Sequence, residues 1–275
     1  MNEKSAPPTG FYRRLDGPSE PTDDHRETLE SLPSTAGPWT PEAQHGGPPA
    51  ALLARAVERL PAAAGTRIGR FTMELLGPVP VGPVALTAGL LRPGRSVQLA
   101  SAELHDVARD RVAAVARVWL FPDSAGPGGA AARLDHGPGD GEDRARPAHW
   151  HGGYLDAIEW RWISGGLEVP GTGTVWMRPP ALVEGEPTSP VQRLLACIDS
   201  ASGVSAALDV REWGFLNTEL TVHVLREPVG EWVCLDAETT VGDGSVGVAT
   251  SAAYDERGLV ARSSQALLVV PRLSR

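Results

Sequence analysis

Two stretches of the chain carry a helical rhythm, and each is followed by a series of short alternating runs. From Pro48 to Leu60 the apolar residues Leu52, Leu53, Ala56, Val57 and Leu60 recur at the spacing of one helix face. Pro48 and Pro49 open this run, where a missing N–H costs nothing. From Pro190 to Ala201 the stripe is Val191, Leu194, Leu195 and Ile198, with Ser189 placed to cap it. Strand-like segments follow the first helix at Phe71 to Leu76, Val84 to Leu91, Val97 to Leu104 and Val112 to Phe121. Those after the second are Leu220 to Leu225, Val233 to Val241, Val246 to Tyr254 and Leu259 to Val270. Tight turns such as Pro93-Gly94 and Gly242-Asp243-Gly244 separate them, which predicts antiparallel meanders.

The two series repeat at an offset of about 148 residues, a duplicated domain and not a solenoid. Gly82 aligns with Gly230, Arg109 with Arg257 and Val112 with Val260. One helix lying across one curled antiparallel sheet is an α+β unit. Two such units would cover each other through edge strands or through helix faces. Between them Pro122 to Pro147 is rich in Pro and Gly and poor in large apolar residues, so it reads as a linker, mobile in part. The expected division is residues 1–121, a linker over 122–149, and residues 150–275.

Composition narrows the function classes. The 275 residues include 31 Gly and 25 Pro, an excess that argues against a helix bundle. Lys and Arg number 25 against 34 Asp and Glu, a net charge of −9, so no basic field is present to attract nucleic acid. Cys197 and Cys234 lack metal-ligand or disulfide-scaffold spacing. No apolar run is long enough to span a membrane, and the start shows no secretory h-region. An intracellular, cytoplasmic protein is the expectation. The Ala, Gly, Pro and Arg bias suggests a GC-rich, bacterial source. No metal site or cofactor is expected.

Four places carry candidate chemistry. Gln44-His45-Gly46-Gly47-Pro48-Pro49 puts two glycines at a helix start, where unpaired N–H groups could hold a polarised carbonyl oxygen. The rival reading is a tight turn into a buried helix. His45 is either a base or a structural, capping residue. Asp199 borders the apolar stripe of the second helix; it is solvated at the edge, or buried and able to orient a water. Alternation from Asn217 to Val224 places Asn217, Glu219, Thr221 and His223 on one face. Gln265 shares the face of Leu267 and Val269, so its amide needs a partner. No GxSxG, HExxH, Walker loop or GxGxxG is present, and Cys197 reads as a buried thiol.

The run WTPEAQHGGPPAALLARAVE resembles the N-terminal hot-dog domain of the acyl-CoA thioesterase II-like proteins. WMRPPALVEGEPTSPVQRLLACIDSASG, FLNTELTVHVLREPVGEWVCLDAETTV and YDERGLVARSSQALLVV resemble its second half. The resemblance implies a double hot dog, two antiparallel sheets each wrapped around a central helix. It implies hydrolysis of an acyl thioester by an activated water without an acyl-enzyme. Asp199 matches the water-orienting acid of that family and Gln265 its last-strand glutamine. Asn217 best matches the residue between them, with Thr218 the close alternative, and the backbone at Gly46 and Gly47 would polarise the carbonyl. His45 and Thr218 would contact the substrate. Such chemistry belongs to lipid metabolism, with acyl-CoA or a related thioester as partner and a homodimer or higher homo-oligomer as the assembly. Two rivals stand beside it: an acyl-CoA binding module without catalysis, and a hot-dog hydratase or dehydratase using His45. Few basic residues flank the glycine motif, so no site for the CoA phosphates is visible; Arg55, Arg59 and Arg70 are the candidates, with surface solvation the commoner role.

Overall fold

In a computed structural model, which describes residues 9–15, 27–126, 132–146, 150–167 and 169–272, the chain traces the same path twice. The first half runs β1 (Gly10–Arg14), β2 (Glu27–Ser31), α1 (Gly47–Glu58), β3 (Thr66–Leu75), β4 (Pro83–Arg92), β5 (Gln98–Asp106) and β6 (Arg111–Pro122). The second opens with a short helix α2 (Gly153–Ala157), then β7 (Glu159–Ser164), β8 (Gly173–Arg178), β9 (Ala181–Val183) and α3 (Pro190–Ile198). It continues with α4 (Ala201–Val204), β10 (Trp213–Asn217), β11 (Glu219–Val224), β12 (Val233–Val241), β13 (Val246–Asp255) and β14 (Gly258–Pro271). Within the halves the strand orders are β1-β2-β4-β5-β6-β3 and β7-β8-β12-β13-β14-β11. Position for position these are one arrangement, so the fold is an α+β double hot dog.

The two sheets are joined. β3 and β11 pair antiparallel, with Phe71 opposite Val222 and Thr72 opposite Thr221. Each strand would otherwise expose a row of backbone groups at its own sheet's edge, and the pairing merges the halves into one fourteen-stranded sheet. At the far edge β9 adds parallel to β1. Only Pro179 and Pro180 separate β9 from β8, which lies near the opposite edge. The sheet must therefore curl almost fully round. α1 and α3 fill the curl and pack on each other, and one hydrophobic core takes residues from both halves. Ser189 and Gln192 form a capping box at the start of α3. The Glu58 carboxylate at the end of α1 accepts from Ser189 Oγ at 2.9 Å and from Gln192 Nε2 at 2.6 Å, clasping the two helices.

Three sequence expectations change. β1, β2, β7 and β8 precede the helices and were not evident as strands; β1 and β2 are only five residues each. The alternation from Asn217 to Val224 is broken at Thr218. Asn217 lies opposite Leu267 but Thr221 opposite Ser264, so the register slips by one residue between β10 and β11. The slip separates Asn217 from the face of Glu219 and Thr221, which bond each other at 2.9 Å. Finally, described parts of the Pro/Gly-rich segment lie on the second half and bury surface there. Leu259 N donates to Ala132 O at 2.8 Å, Leu134 packs on the cluster of Trp176, Cys234 and Tyr254, and Glu142 bridges to Trp162. The part of the linker over 127–131 and 147–149 lies outside the described residues. Among the described residues no helix is long and apolar enough to cross a membrane.

Candidate active site

The end of α3 and the start of α1 meet beside β10 and β14, and Asp199 stands at that junction. It is the C-cap of α3, with backbone angles still helical, so its side chain follows the buried stripe inward. Only 3% of the residue is exposed. A carboxylate so placed needs donors, and two amides supply them. Asn217 Nδ2 donates to Asp199 Oδ1 at 2.7 Å, and Gln265 Nε2 donates to the same oxygen at 2.9 Å. Gln265 Nε2 also reaches the Asp199 carbonyl at 3.0 Å. Three residues from a helix end and two strands thus converge. The slip at Thr218 turns Asn217 inward, and strand alternation does the same for the fully buried Gln265.

His45 comes from the other half. Its backbone N–H is held by Thr35 O at 2.8 Å, and Gln44 before it is held at Val79 O. Its Nδ1 lies 3.2 Å from Asp199 Oδ2 and 3.1 Å from the Gly47 amide. The ring stacks on Tyr154 with centroids 3.8 Å apart and planes within 2°. The Tyr154 hydroxyl is anchored in turn by Ala196 O at 2.8 Å and Ser200 Oγ at 2.9 Å. Burial holds the His45 pKa below the ordinary histidine value, while the Asp199 charge opposes that shift.

Both glycines of the motif are explained by α3. A Cβ on Gly46 would lie 2.7 Å from Asp199 Oδ2, and one on Gly47 would run into the Ala196 carbonyl oxygen. Close packing therefore demands both, against the second helix and not against the sheet. The Gly47 N–H donates to His45 Nδ1, so it is spent inside the protein and does not face the cavity as an oxyanion donor.

A cavity of about 470 Å³ opens beside these groups, with His45, Gly46, Asp199 and Asn217 on one wall. Trp39, Trp150, Trp160 and Phe215 dominate the rest, an apolar lining suited to an acyl group. Sequence reasoning missed Tyr154 and this wall. The only signal was the density of aromatic residues between Trp150 and Trp162, which does not reveal what they face.

Two expected contacts are not made. Thr218 is exposed, and its hydroxyl bonds Ala266 O at 3.2 Å outside the cavity; the register slip directs it away as it turns Asn217 in. Arg55 is buried and committed to Glu27 at 2.7 Å and Glu186 at 2.8 Å, so it is no CoA phosphate site. A second cleft, about 560 Å³, shares no residue with the first and is lined by Glu159, Glu186 and Glu231 beside Arg178 and Arg193. Burial raises the Cys197 pKa, which leaves a neutral thiol. Among the described residues no cluster of His, Cys, Asp or Glu is arranged to hold a metal.

Comparison with known proteins bears on the fold and the family. The model of the acyl-CoA thioesterase N-terminal domain matches residues 35–121, and that of the acyl-CoA thioesterase C-terminal domain matches residues 135–269. Among solved structures, a conserved hot dog-fold protein of unknown function from Alicyclobacillus acidocaldarius is 18% identical, with TM-score 0.69 over 90% of this chain and 94% of that one. The acyl-CoA thioesterase II TesB2 of Mycobacterium marinum is 16% identical, with TM-score 0.64 over 90% and 93%. The tesB protein of Mycobacterium avium subspecies paratuberculosis is 17% identical, with the same score and coverage. At these identities the likeness is one of fold. No curated protein matches the chain.

Proposed function

Since the chain belongs to the acyl-CoA thioesterase family through both of its domains, we propose that it hydrolyses an acyl thioester in the cavity beside Asp199. One observation carries this reading: a buried carboxylate, fixed by the Asn217 and Gln265 amides, forms the polar wall of an otherwise apolar pocket. The acyl group lies against the tryptophans and the thioester carbon comes to the polar wall. A thioester carbonyl is electrophilic and a thiolate leaves readily, so a positioned water and a proton acceptor suffice. Activation of that water depends on the Asp199 charge. Both hydrogens of Gln265 Nε2 are directed at Asp199, so Gln265 acts by positioning the carboxylate. Asn217 keeps one amide hydrogen and its oxygen for the water. The carbonyl oxygen comes to the backbone of Gly46, which lines the cavity just before α1, since the Gly47 N–H is spent on His45 Nδ1.

Asp199→Asn keeps the volume and removes the charge. Thiol release from acyl-CoA is expected to fall at least about 100-fold with an unchanged circular dichroism spectrum, and undiminished turnover would end the proposal. A second reading, hydration of an enoyl thioester, draws on the contact between His45 Nδ1 and Asp199 Oδ2. Loss of enoyl absorbance without thiol release would select it. Retention of acyl-CoA with neither reaction would select a binding module.

A further inference from the structure

We infer that Arg70, Arg117 and Arg262, on the outer face of the sheet along the seam of β3 and β11, form the subsite for the phosphate groups of an acyl-CoA substrate. This names the other end of the molecule hydrolysed beside Asp199, and it rests on that hydrolase reading.

The first argument is charge. Strand alternation turns these side chains outward, because Phe71, Ala116, Val118, Ala261 and Ser263 beside them are buried. Arg70 stands opposite His223, and His223 opposite Arg262. Arg117 stands opposite Thr72, on the next outward row of β3. Directly opposed side chains lie about 5 Å apart, so the guanidiniums and the imidazole share one strip of surface. This cationic strip sits on a chain of net charge −9. Arg55, Arg178 and Arg226 elsewhere are paired with carboxylates. Arg70, Arg117 and Arg262 make no ion pair with a described residue. Arg117 Nη1 bonds the neighbouring Ala116 carbonyl at 3.3 Å, and Arg70 Nε is buried without a hydrogen-bond partner among the described residues. Like charges set side by side repel, and a polyanion laid across them removes that repulsion.

The second argument is position. The cavity reaches this same face. Leu216 and Leu268 oppose each other and are 42% and 41% exposed, yet both line the cavity. Leu75, at the end of β3, lines it as well. From Leu75 the rows of β3 lead away along the sheet. Thr72, with Arg117 beside it, lies three residues on, about 10 Å, and Arg70 five residues on, about 17 Å. In CoA about thirteen bonds separate the thioester sulfur from the first phosphorus, a reach of about 15 Å for an extended chain. With the thioester at the half-buried Asn217, the diphosphate falls between Arg117 and Arg70. The ribose 3′-phosphate beyond it comes to His223 and Arg262.

The third argument is the stretch between. Glu74 and Glu219 oppose each other on the outward face, between the mouth and the arginines. Glu219 accepts from the Ala266 amide and from the Thr221 hydroxyl, each at 2.9 Å. The neutral pantetheine amides can cross this acidic stretch, whereas a phosphate is repelled from it and carried further. The Thr72 and Thr221 hydroxyls follow, 3.4 Å apart. The path therefore turns from acidic to basic where the thioester's own chain turns from neutral to anionic.

The test compares acyl-CoA with the matching acyl-pantetheine, which has the same thioester and no phosphate, using the whole protein. In the wild type, KM for acyl-CoA is expected to be at least about 10-fold lower. It should rise with added salt while that for acyl-pantetheine holds. A variant combining Arg70→Gln, Arg117→Gln and Arg262→Gln should raise KM for acyl-CoA about 10-fold or more, with kcat little changed, and bring the two substrates together. Adenosine 3′,5′-bisphosphate should compete with acyl-CoA in the wild type and lose that effect in the variant. An unchanged KM for acyl-CoA, or an equal rise for both substrates, overturns the inference. Should the variant not fold, the wild-type comparison decides: equal KM values without a salt effect refute the subsite. Absence of thiol release from both thioesters overturns the hydrolase reading instead. Calorimetric titration with coenzyme A then tests the arginines, and equal binding by wild type and variant refutes them.

Discussion

Gly46 has ordinary helical backbone angles, φ −68° and ψ −19°, so space and not dihedral freedom excludes a side chain there. The space is taken by the Asp199 carboxylate, 2.7 Å from where a Cβ would sit. Gly46→Ala is a direct probe of that carboxylate's position, because alanine adopts these backbone angles without strain and the atoms nearest its Cβ all belong to Asp199. We expect a folded protein whose turnover of acyl-CoA falls about 100-fold, the scale of a 1 Å misplacement in a site. Full activity with unchanged circular dichroism would show that the exact seat of Asp199 is unimportant. At this scale the sequence was partly legible. Gln265 stands out because an amide on an apolar face demands a partner, whereas Asp199, at the border of its stripe, is equally open to solvent on pattern alone. Thr218 was misplaced because a one-residue register slip leaves no mark in an alternating pattern.

The strand pairs β5–β6 and β13–β14 each turn around a buried aspartate, over four residues in the first and two in the second. Asp106 accepts from the Arg109 amide at 3.1 Å and from Arg109 Nη1 at 3.0 Å. Asp255, 2% exposed, accepts from the amides of Val229 and Arg257, each at 2.8 Å, and from Arg226 Nη1 at 2.6 Å. Burial alone would raise the Asp255 pKa, but the Arg226 guanidinium and the two amides override it and hold it below the usual value. The unfolded chain therefore takes up a proton at higher pH than the folded one. The stabilisation is present above the ordinary aspartate pKa and is lost as pH falls through it toward the lowered folded value. Asp255→Asn should cost about 3 kcal/mol near neutrality, as breaking one side of a buried pair does. It should also flatten the acid decline in a urea series across pH. An unaltered acid decline would assign that decline to other carboxylates. The β13–β14 turn is readable in the sequence as Asp-Glu-Arg-Gly; the burial that gives the aspartate its weight is not.

The whole molecule is held by contacts that no single half contains. Arg55 of α1 reaches Glu27 of its own half and Glu186 of the other, and Arg14 pairs with the same two glutamates at 3.0 and 3.1 Å. Arg55→Ala strands two carboxylates around one remaining guanidinium. A loss of about 3–5 kcal/mol in urea denaturation is expected, with both halves unfolding in one transition because they share a core. A loss below about 1 kcal/mol, the range of an exposed pair, would show that water already reaches the cluster.

The sequence alone determined the duplication, the two helices, the meanders and Gln265 as an amide needing a partner, while it left Asp199 and Asn217 open between solvent and a pocket. Those properties live in spacing and in the cost of burying polar atoms, and both are written locally. Only the tertiary structure decided that the halves share one sheet, that Arg55 is spent on glutamates, that Tyr154 backs the imidazole, and that His45 of one half meets Asp199 of the other. Residues so distant along the chain become neighbours only when the sheet curls and the helices close on each other, and no local pattern encodes that approach.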